Sequence, residues 1–178
     1  LRREKMDTVL ENILTRTSVR SYTEKKIDSQ TLELLLKAGM AAPSAMNRQP
    51  WRFILITERA VLDSLATRLP YAKMAAEAQA GIVVCGDMDA TGEGEKDLMW
   101  VSDCSAATEN ILLAAHSLGL GAVWTAVYPV KNRMEAVVDV LHLPTKIVPL
   151  CFVPIGYPLG TERAKEKFKK DNIHLNRW

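Results

Sequence analysis

The chain has 178 residues, 48% of them apolar and 25% charged, with a formal net charge of +2. That is the balance of a soluble globular protein, one domain of ordinary size over residues 1–178. The charge is too small to argue for nucleic acid, and no apolar run reaches the ~18 residues that span a bilayer.

The opening Leu1-Arg2-Arg3-Glu4-Lys5-Met6 is charged and is not followed by an apolar signal core, and Met6 is a candidate native start. Cys85, Cys104 and Cys151 lie far apart in apolar stretches, with no CxxC pair. They are expected to be buried thiols in a reducing cytoplasm.

Asp7 to Thr15 has the pattern of a short helix, with Val9, Ile13 and Leu14 on one side. Arg16-Thr17-Ser18-Val19-Arg20 follows. In an extended segment positions 16, 18 and 20 point the same way, which puts two guanidiniums and a hydroxyl on one face and turns Val19 to the core. Such a face suits an anion, because each guanidinium offers phosphate oxygens two donors; a solvated basic turn is the plain alternative. Asp28 or Ser29 caps a helix over 30–41, whose Leu32, Leu35, Leu36, Gly39 and Met40 fall at helical spacing.

Ala42 to Trp51 is a loop between regular elements. Pro43 and Pro50 fix φ and hold the residues before them out of the helical region. Between them, Ser44, Asn47 and Gln49 both donate and accept hydrogen bonds, and Ala45 is small. That set suits the edge of a neutral heteroaromatic ring better than a metal; an ordinary proline-rich connection is the alternative.

Phe53–Ile56 and Ile82–Cys85 have the composition of buried strands. Ala60–Leu69 is a predicted helix and Tyr71–Gln79 a second, Ala-rich helical piece. Ala90–Glu95 is a Gly-rich acidic loop without the Lys-Ser/Thr of a phosphate cradle. Asp97–Leu118 repeats at helical spacing for about six turns, and its small residues Ser105, Ala106, Ala107 and Ala114 allow packing on more than one side. It is the expected central helix, stopped by Gly119. Leu120–Val127 is a predicted strand. Asn132 caps a helix that buries Met134, Val137, Val138 and Leu141. Pro149–Gly156 is a last strand whose prolines place its ends at an edge or a bulge. Gly156-Tyr157-Pro158 then turns the chain into a polar tail, through Lys165–Lys170 to His174 and Trp178. His116, His142 and His174 lack metal-ligand spacing. Cys104 belongs to the core, and Asp103 either faces a partner chain or sits on a solvated helix face.

Four segments together resemble the FMN-dependent nitroreductase family. Arg16-Thr17-Ser18-Val19-Arg20 is similar to its first flavin motif and Pro43-Ser44-Ala45-Met46-Asn47-Arg48-Gln49-Pro50-Trp51 to its second. Gly119-Leu120-Gly121-Ala122-Val123-Trp124 is similar to its third, and Gly156-Tyr157-Pro158 with the basic tail to its fourth. The resemblance runs from about residue 10 to the C-terminus. It implies an α+β fold, a mixed and mainly antiparallel sheet flanked by helices, built as an intertwined homodimer with FMN at the interface. By the resemblance, Arg16, Thr17 and Ser18 bind the phosphate and ribityl end, and Arg20 sits near the pyrimidine edge. Pro43, Ser44, Ala45, Asn47 and Gln49 come from the partner subunit. Trp124, Thr125 and Ala126 run beside the ring, and Lys165 and Lys167 close on the phosphate. A further ring contact within residues 70–75, near Tyr71 and Lys73, is not assigned. The excursion over residues 86–98 is shorter than in longer members, which place substrate-covering helices there.

The implied activity is a ping-pong oxidoreductase. NADH or NADPH is the reductant, and a nitroaromatic, a quinone or a similar acceptor takes two electrons through flavin N5. The rival classes are an FMN-binding protein without turnover, which stores or senses flavin; a flavin-cleaving or dehalogenating relative, whose extra lid features this sequence lacks; and a helical interaction protein without cofactor.

Overall fold

The computed structural model describes residues 8–91, 98–160 and 162–178. Met6, the helix start expected at Asp7, residues Gly92 to Glu95 of the acidic loop and the helix start expected at Asp97 lie outside these residues.

The sheet is organised around β2 (Ala80–Asp87) and β5 (Ile147–Gly156), which pair antiparallel. Their apolar side chains alternate between two cores, as strand geometry requires. Ile82, Val84, Cys151 and Val153 point to one face, and Val83, Cys85 and Phe152 to the other. α2 (Ser29–Met40) and α4 (Met99–Ser117) cover the first face, contributing Leu32, Leu35, Cys104, Ala107 and Ile111. α3 (Arg59–Arg68) and α5 (Lys131–Leu141) cover the second, with Leu62, Leu65 and Val137. The result is a helix–sheet–helix sandwich, an α+β arrangement whose ladders are all antiparallel. The parallel element is an isolated bridge from Ser18 to Ala122.

β1 (Trp51–Ile56) pairs with β2 at the sheet's edge, so the expectation of a buried strand over Phe53–Ile56 is corrected. Arg52 and Leu55 face solvent, and Trp51 and Ile56 carry the burial. The bulge expected near the prolines of the last strand lies where Pro149 stands opposite Cys85, at a register shift between Val84 and Cys85. β5 itself begins earlier, at Ile147, and is central.

The strand expected over Leu120–Val127 is two pieces, β3 (Gly121–Ala122) and β4 (Thr125–Ala126). Both keep one register on β5, with Gly121 opposite Gly156 and Thr125 opposite Phe152. Val123 and Trp124 stand between them, outside the ladder. The helical piece expected over Tyr71–Gln79 contracts to a 3₁₀ turn, Lys73–Ala76. Arg59 explains why no longer helix is needed: its guanidinium donates to the carbonyls of Ala75, Ala76 and Ala78.

The helix caps divide. Asp28 accepts from the Thr31 amide at 2.8 Å, as its position suggests. Asn132 is not the cap of α5: the helix starts at Lys131, and the Val130 carbonyl accepts from Arg133 and Met134. Met134, Val138 and Leu141 are half-buried there, while Ala136 and Val137 are buried. Gly119 ends α4 with φ +73°, as expected. α1 (Thr8–Thr15) buries none of its residues; Val9, Leu10, Ile13 and Leu14 are all exposed. Among the described residues no helix is long and apolar enough to cross a membrane.

The segment after α1 is seated by two glycines. Gly121 and Gly156 face each other across β3 and β5. A Cβ on Gly121 would lie 2.5 Å from Val19 Cγ1, and one on Gly156 would lie 2.8 Å from Tyr22. The bare backbone is therefore the floor on which Val19 and Tyr22 rest. Gly121→Ala is expected to lower stability by ~1–3 kcal/mol, the usual cost of overpacking, and to lift the Arg16–Arg20 segment. Chemical denaturation checks the first effect. Faster amide exchange at Val19 than at the β2 amides checks the second.

Candidate functional site

Arg16–Arg20 runs extended across the end of the sheet. The Val19 amide donates to the Ala122 carbonyl at 3.1 Å, and Val19 is buried as the alternation requires. Tyr22 locks the segment: its hydroxyl donates to the carbonyls of Val19 (2.8 Å) and Pro154 (3.1 Å). The Thr23 amide then donates to the Tyr157 carbonyl, which ties the segment to the stretch leaving β5.

This seating brings the two ends of the chain together. Arg16, Thr17, Ser18 and Arg20 share one cleft with Glu162, Arg163, Lys165 and Lys167, a space of about 380 Å³. Five cations and one carboxylate line it. Glu162 accepts from the Arg20 amide at 3.1 Å, so that carboxylate also fixes backbone. The Arg16 side chain is mostly buried and pairs with Glu109 of α4 at 3.5 Å. Beside it, His116 meets the Thr15 hydroxyl at 2.9 Å. Burial, with the Arg16 charge second, holds that imidazole below its ordinary pKa.

A second cleft, about 470 Å³, is lined by Val123, Trp124, Thr125 and Ala126 together with Pro70, Tyr71, Lys73, Met74, Arg133 and Arg20. Arg20 belongs to both clefts. The break between β3 and β4 makes its wall, since Val123 and Trp124 leave the ladder there. Thr125 is fixed by donating to the Phe152 carbonyl. Arg133 donates to the Ala126 carbonyl at 3.1 Å and lies 5.2 Å over the Tyr71 ring. Both spaces fall in the size range of small-molecule sites. A cationic recess joined to a flatter, aromatic-walled one suits a ligand with a phosphate at one end and a planar ring at the other.

Pro43, Ser44, Asn47 and Gln49 line neither cleft. Ala45 lines a third, apolar recess with Met46, Arg48, Pro50, Thr91, Met99, Trp100 and Asp103. Met46, Asn47 and Gln49 all have left-handed backbones, with φ of 52°, 54° and 51°. For non-glycine residues this costs roughly 1 kcal/mol or more each, and such strain concentrates at functional sites. Bonds inside the loop hold it: the Gln49 amide donates to Ser44 Oγ at 2.9 Å, and Gln49 Nε2 donates to Asn47 Oδ1 at 3.0 Å. Asp103 is not on a solvated helix face. It is buried, and it accepts from the Ala45 amide at 2.9 Å.

Sequence reasoning missed Arg133, Met74, Glu162 and Arg163. One signal was available for Arg133: it lies in the first turn of α5 with Lys131, where the helix dipole disfavours cations. The thiols of Cys85, Cys104 and Cys151 are buried, and burial pushes Cys85 and Cys151 up to about 12. None of the three lines either cleft. Among the described residues, no group of three or more His, Cys, Asp and Glu is placed to hold a metal.

Comparison with known proteins bears on the family and the fold. The model of the Nitroreductase family matches residues 13–71 and 63–157. A relative from Methanothermobacter thermautotrophicus, provisionally named NADH dehydrogenase/NAD(P)H nitroreductase, is 42% identical over 175 residues, 98% of this chain and 89% of its own. A crystal structure from Parabacteroides distasonis, of a protein with the same provisional name, has a TM-score of 0.92 at 47% identity. It covers 97% of this chain and 100% of that one. A protein from Desulfovibrio desulfuricans, provisionally named a nitroreductase and crystallised in complex with FMN, has a TM-score of 0.83 at 26% identity, covering 98% and 99% of the two chains. With most of its length matched by the family model, and with close relatives matched nearly end to end, the chain belongs to the nitroreductase family.

Proposed function

We propose that this chain is an FMN-dependent NAD(P)H oxidoreductase of the nitroreductase type, acting on a nitroaromatic, a quinone or a similar acceptor. The observation that carries the reading is the meeting of the two clefts at Arg20: a five-cation recess on one side, the Trp124–Ala126 wall on the other. The fit to FMN follows from that chemistry. Its phosphate brings ~1.5–2 negative charges, which Arg16, Lys165 and Lys167 would neutralise through charge-assisted bonds while Thr17 and Ser18 offer hydroxyls beside them. The planar ring would lie along Trp124, Thr125 and Ala126. FMN, when bound, supplies the two-electron chemistry that couples NAD(P)H oxidation to reduction of the acceptor.

The protein's own task is then to bind and to tune. Arg20 places positive charge where the ring's edge would lie, so negative charge developing there is stabilised. Tyr71 and Lys73 line the same cleft and are the candidates for the remaining contact within residues 70–75. No side-chain nucleophile or acid–base pair is required.

The reading includes a homodimer, one domain per chain, in the cytoplasm. Support for the dimer comes from α1, which leaves Leu10, Ile13 and Leu14 exposed, and from the loop 43–49, which lines neither cleft of its own chain. In the dimer Pro43, Ser44, Ala45, Asn47 and Gln49 would complete the partner's cleft. The three free, buried thiols suit a reducing compartment.

Purified protein should carry, or take up, a chromophore absorbing between 350 and 500 nm. NADH or NADPH should bleach it rapidly and menadione should restore it. Tight flavin without bleaching would leave a storage or sensing protein, and no uptake of FMN would end the reading. Arg16→Ala should weaken FMN by ~1.5–3 kcal/mol, roughly 10- to 150-fold in Kd, measured by flavin fluorescence at physiological salt. Full affinity in that variant would overturn the phosphate assignment. Placing charges on α1, Leu10→Asp with Ile13→Asp, should yield monomers that lose flavin. Light scattering coupled to absorbance reads both, and a dimer of unchanged stability would remove α1 from the interface.

A further inference from the structure

We infer that Asp103 is a positioning residue for the flavin cleft of the partner subunit, acting through the loop 44–49. The inference rests on the proposed reading that this loop lines the partner's cleft. It begins from the strain already described. Three residues of the loop hold left-handed backbones although none is glycine. Such a shape persists only where its surroundings over-determine it.

The bonds within the loop, Gln49 to Ser44 and Gln49 to Asn47, preserve its shape but do not fix where it stands. Among the described residues its end at Gln49 accepts a long 3.5 Å bond from Arg52 of β1, and two shorter bonds tie it to the body. An exposed guanidinium, Arg48, donates to the Thr91 carbonyl at 2.7 Å. The Ala45 amide donates to Asp103 Oδ1 at 2.9 Å, from a loop to the central helix 58 residues away in sequence. The second tie is the more rigid. Asp103 is buried at 7% exposure and stands on α4, which packs against α2 and the sheet. Ala45 is the first residue of the turn, so its amide has no partner within the turn, and the carboxylate from α4 satisfies it.

A buried carboxylate is costly unless hydrogen-bonded. A hydrophobic residue would pack beside Met99 and Trp100 without that cost. What Asp103 adds is direction, because one charge-assisted bond sets the start of the turn and hence the aim of Ser44 and Asn47. The same helix carries Glu109, which holds Arg16. α4 therefore positions the phosphate clamp of its own subunit near its middle and the loop for the other subunit near its start.

The test uses the intact dimer and FMN as the probe. Asp103→Ala should remain a folded dimer and bind FMN about 10- to 100-fold more weakly, the range for losing a hydrogen bond to a charged group. Asp103→Asn keeps an oxygen acceptor for the Ala45 amide and should stay within about threefold of the parent. The decisive measurement is a mixed dimer, one subunit carrying Asp103→Ala and the other Arg16→Ala, purified with two tags. If Asp103 serves the partner's cleft, both defects fall in one cleft and the other is intact. One tight FMN site per mixed dimer is then expected, although neither parent variant has any.

Normal FMN affinity in Asp103→Ala, or a mixed dimer without a tight site, overturns the inference while leaving the oxidoreductase reading in place. Failure of the unmodified protein to bind FMN overturns both. Should Asp103→Ala not fold, Ala45→Pro removes the same bond from the donor side. Ser44 already has the extended backbone that precedes proline, φ −140° and ψ 153°. The same complementation with Arg16→Ala is expected from it, and its absence counts equally against the inference.

Discussion

The site depends on a backbone-to-side-chain contact that only glycine permits. At the β3–β5 end of the sheet, Gly121 and Gly156 lie opposite each other and leave room for Val19 and Tyr22 to pack directly on the strands. Tyr22 then shares its one hydroxyl proton between the carbonyls of Val19 and Pro154, which ties the segment to β5. With Val19 turned inward, strand alternation leaves Ser18 and Arg20 turned outward. Because the same segment bonds to Tyr157 and meets Pro158, the start of the chain lies beside the stretch that follows the last strand. The convergence of Arg16 and Arg20 with Lys165 and Lys167 is thus a consequence of where two glycines fall.

Crowding five cations into one cleft is unfavourable in itself, and the fold offsets it only partly. Glu109 pairs with Arg16 from α4 but is itself half-exposed, so the pair contributes little stability. Glu162 accepts from the Arg20 amide, and as one carboxylate against five cations it leaves the lining of the cleft positive. The positive field therefore stays directed into the cleft. The imidazole of His116, which keeps company with Thr15 and is held below its usual pKa, adds no further positive charge beside Arg16 near neutral pH.

Much of this was legible in the sequence, because the informative residues are of types whose chemistry is local. The inward Val19 and the outward Ser18 and Arg20 follow from alternation alone. Asp28 and Gly119 end helices by mechanisms that need only their neighbours. The central helix and the two apolar strands announce themselves by period. What was not legible depends on partners distant in sequence. Asn132 has the right chemistry for a cap, yet the turn at Val127–Val130 makes Val130 the N-cap and starts α5 two residues earlier. Phe53–Ile56 has the composition of a buried strand, but edge position is a property of the whole sheet. The gap between β3 and β4 falls in an unbroken apolar run, so no local signal marks it. Asp103 could be a solvated helix residue by pattern, and only the approach of Ala45 shows otherwise.

The arrangement also explains why the chain's nucleophiles are silent. Each cysteine is buried in a core cluster, and a thiol that burial raises this far gives almost no thiolate at neutral pH. Redox chemistry carried by a bound coenzyme asks the protein for charge, shape and access instead. Charge comes from the two ends of the chain, shape from an interrupted strand, and the strained loop from a position that neither cleft of its own chain reaches. A strained loop is tolerated only where something rigid repays it. α4 meets that need because it is the longest helix described, is packed on both α2 and the sheet, and carries Asp103, which takes the Ala45 amide; the same helix presents Glu109 to Arg16. A change that shifts this helix would disturb Arg16 of the cationic cleft and the strained loop together.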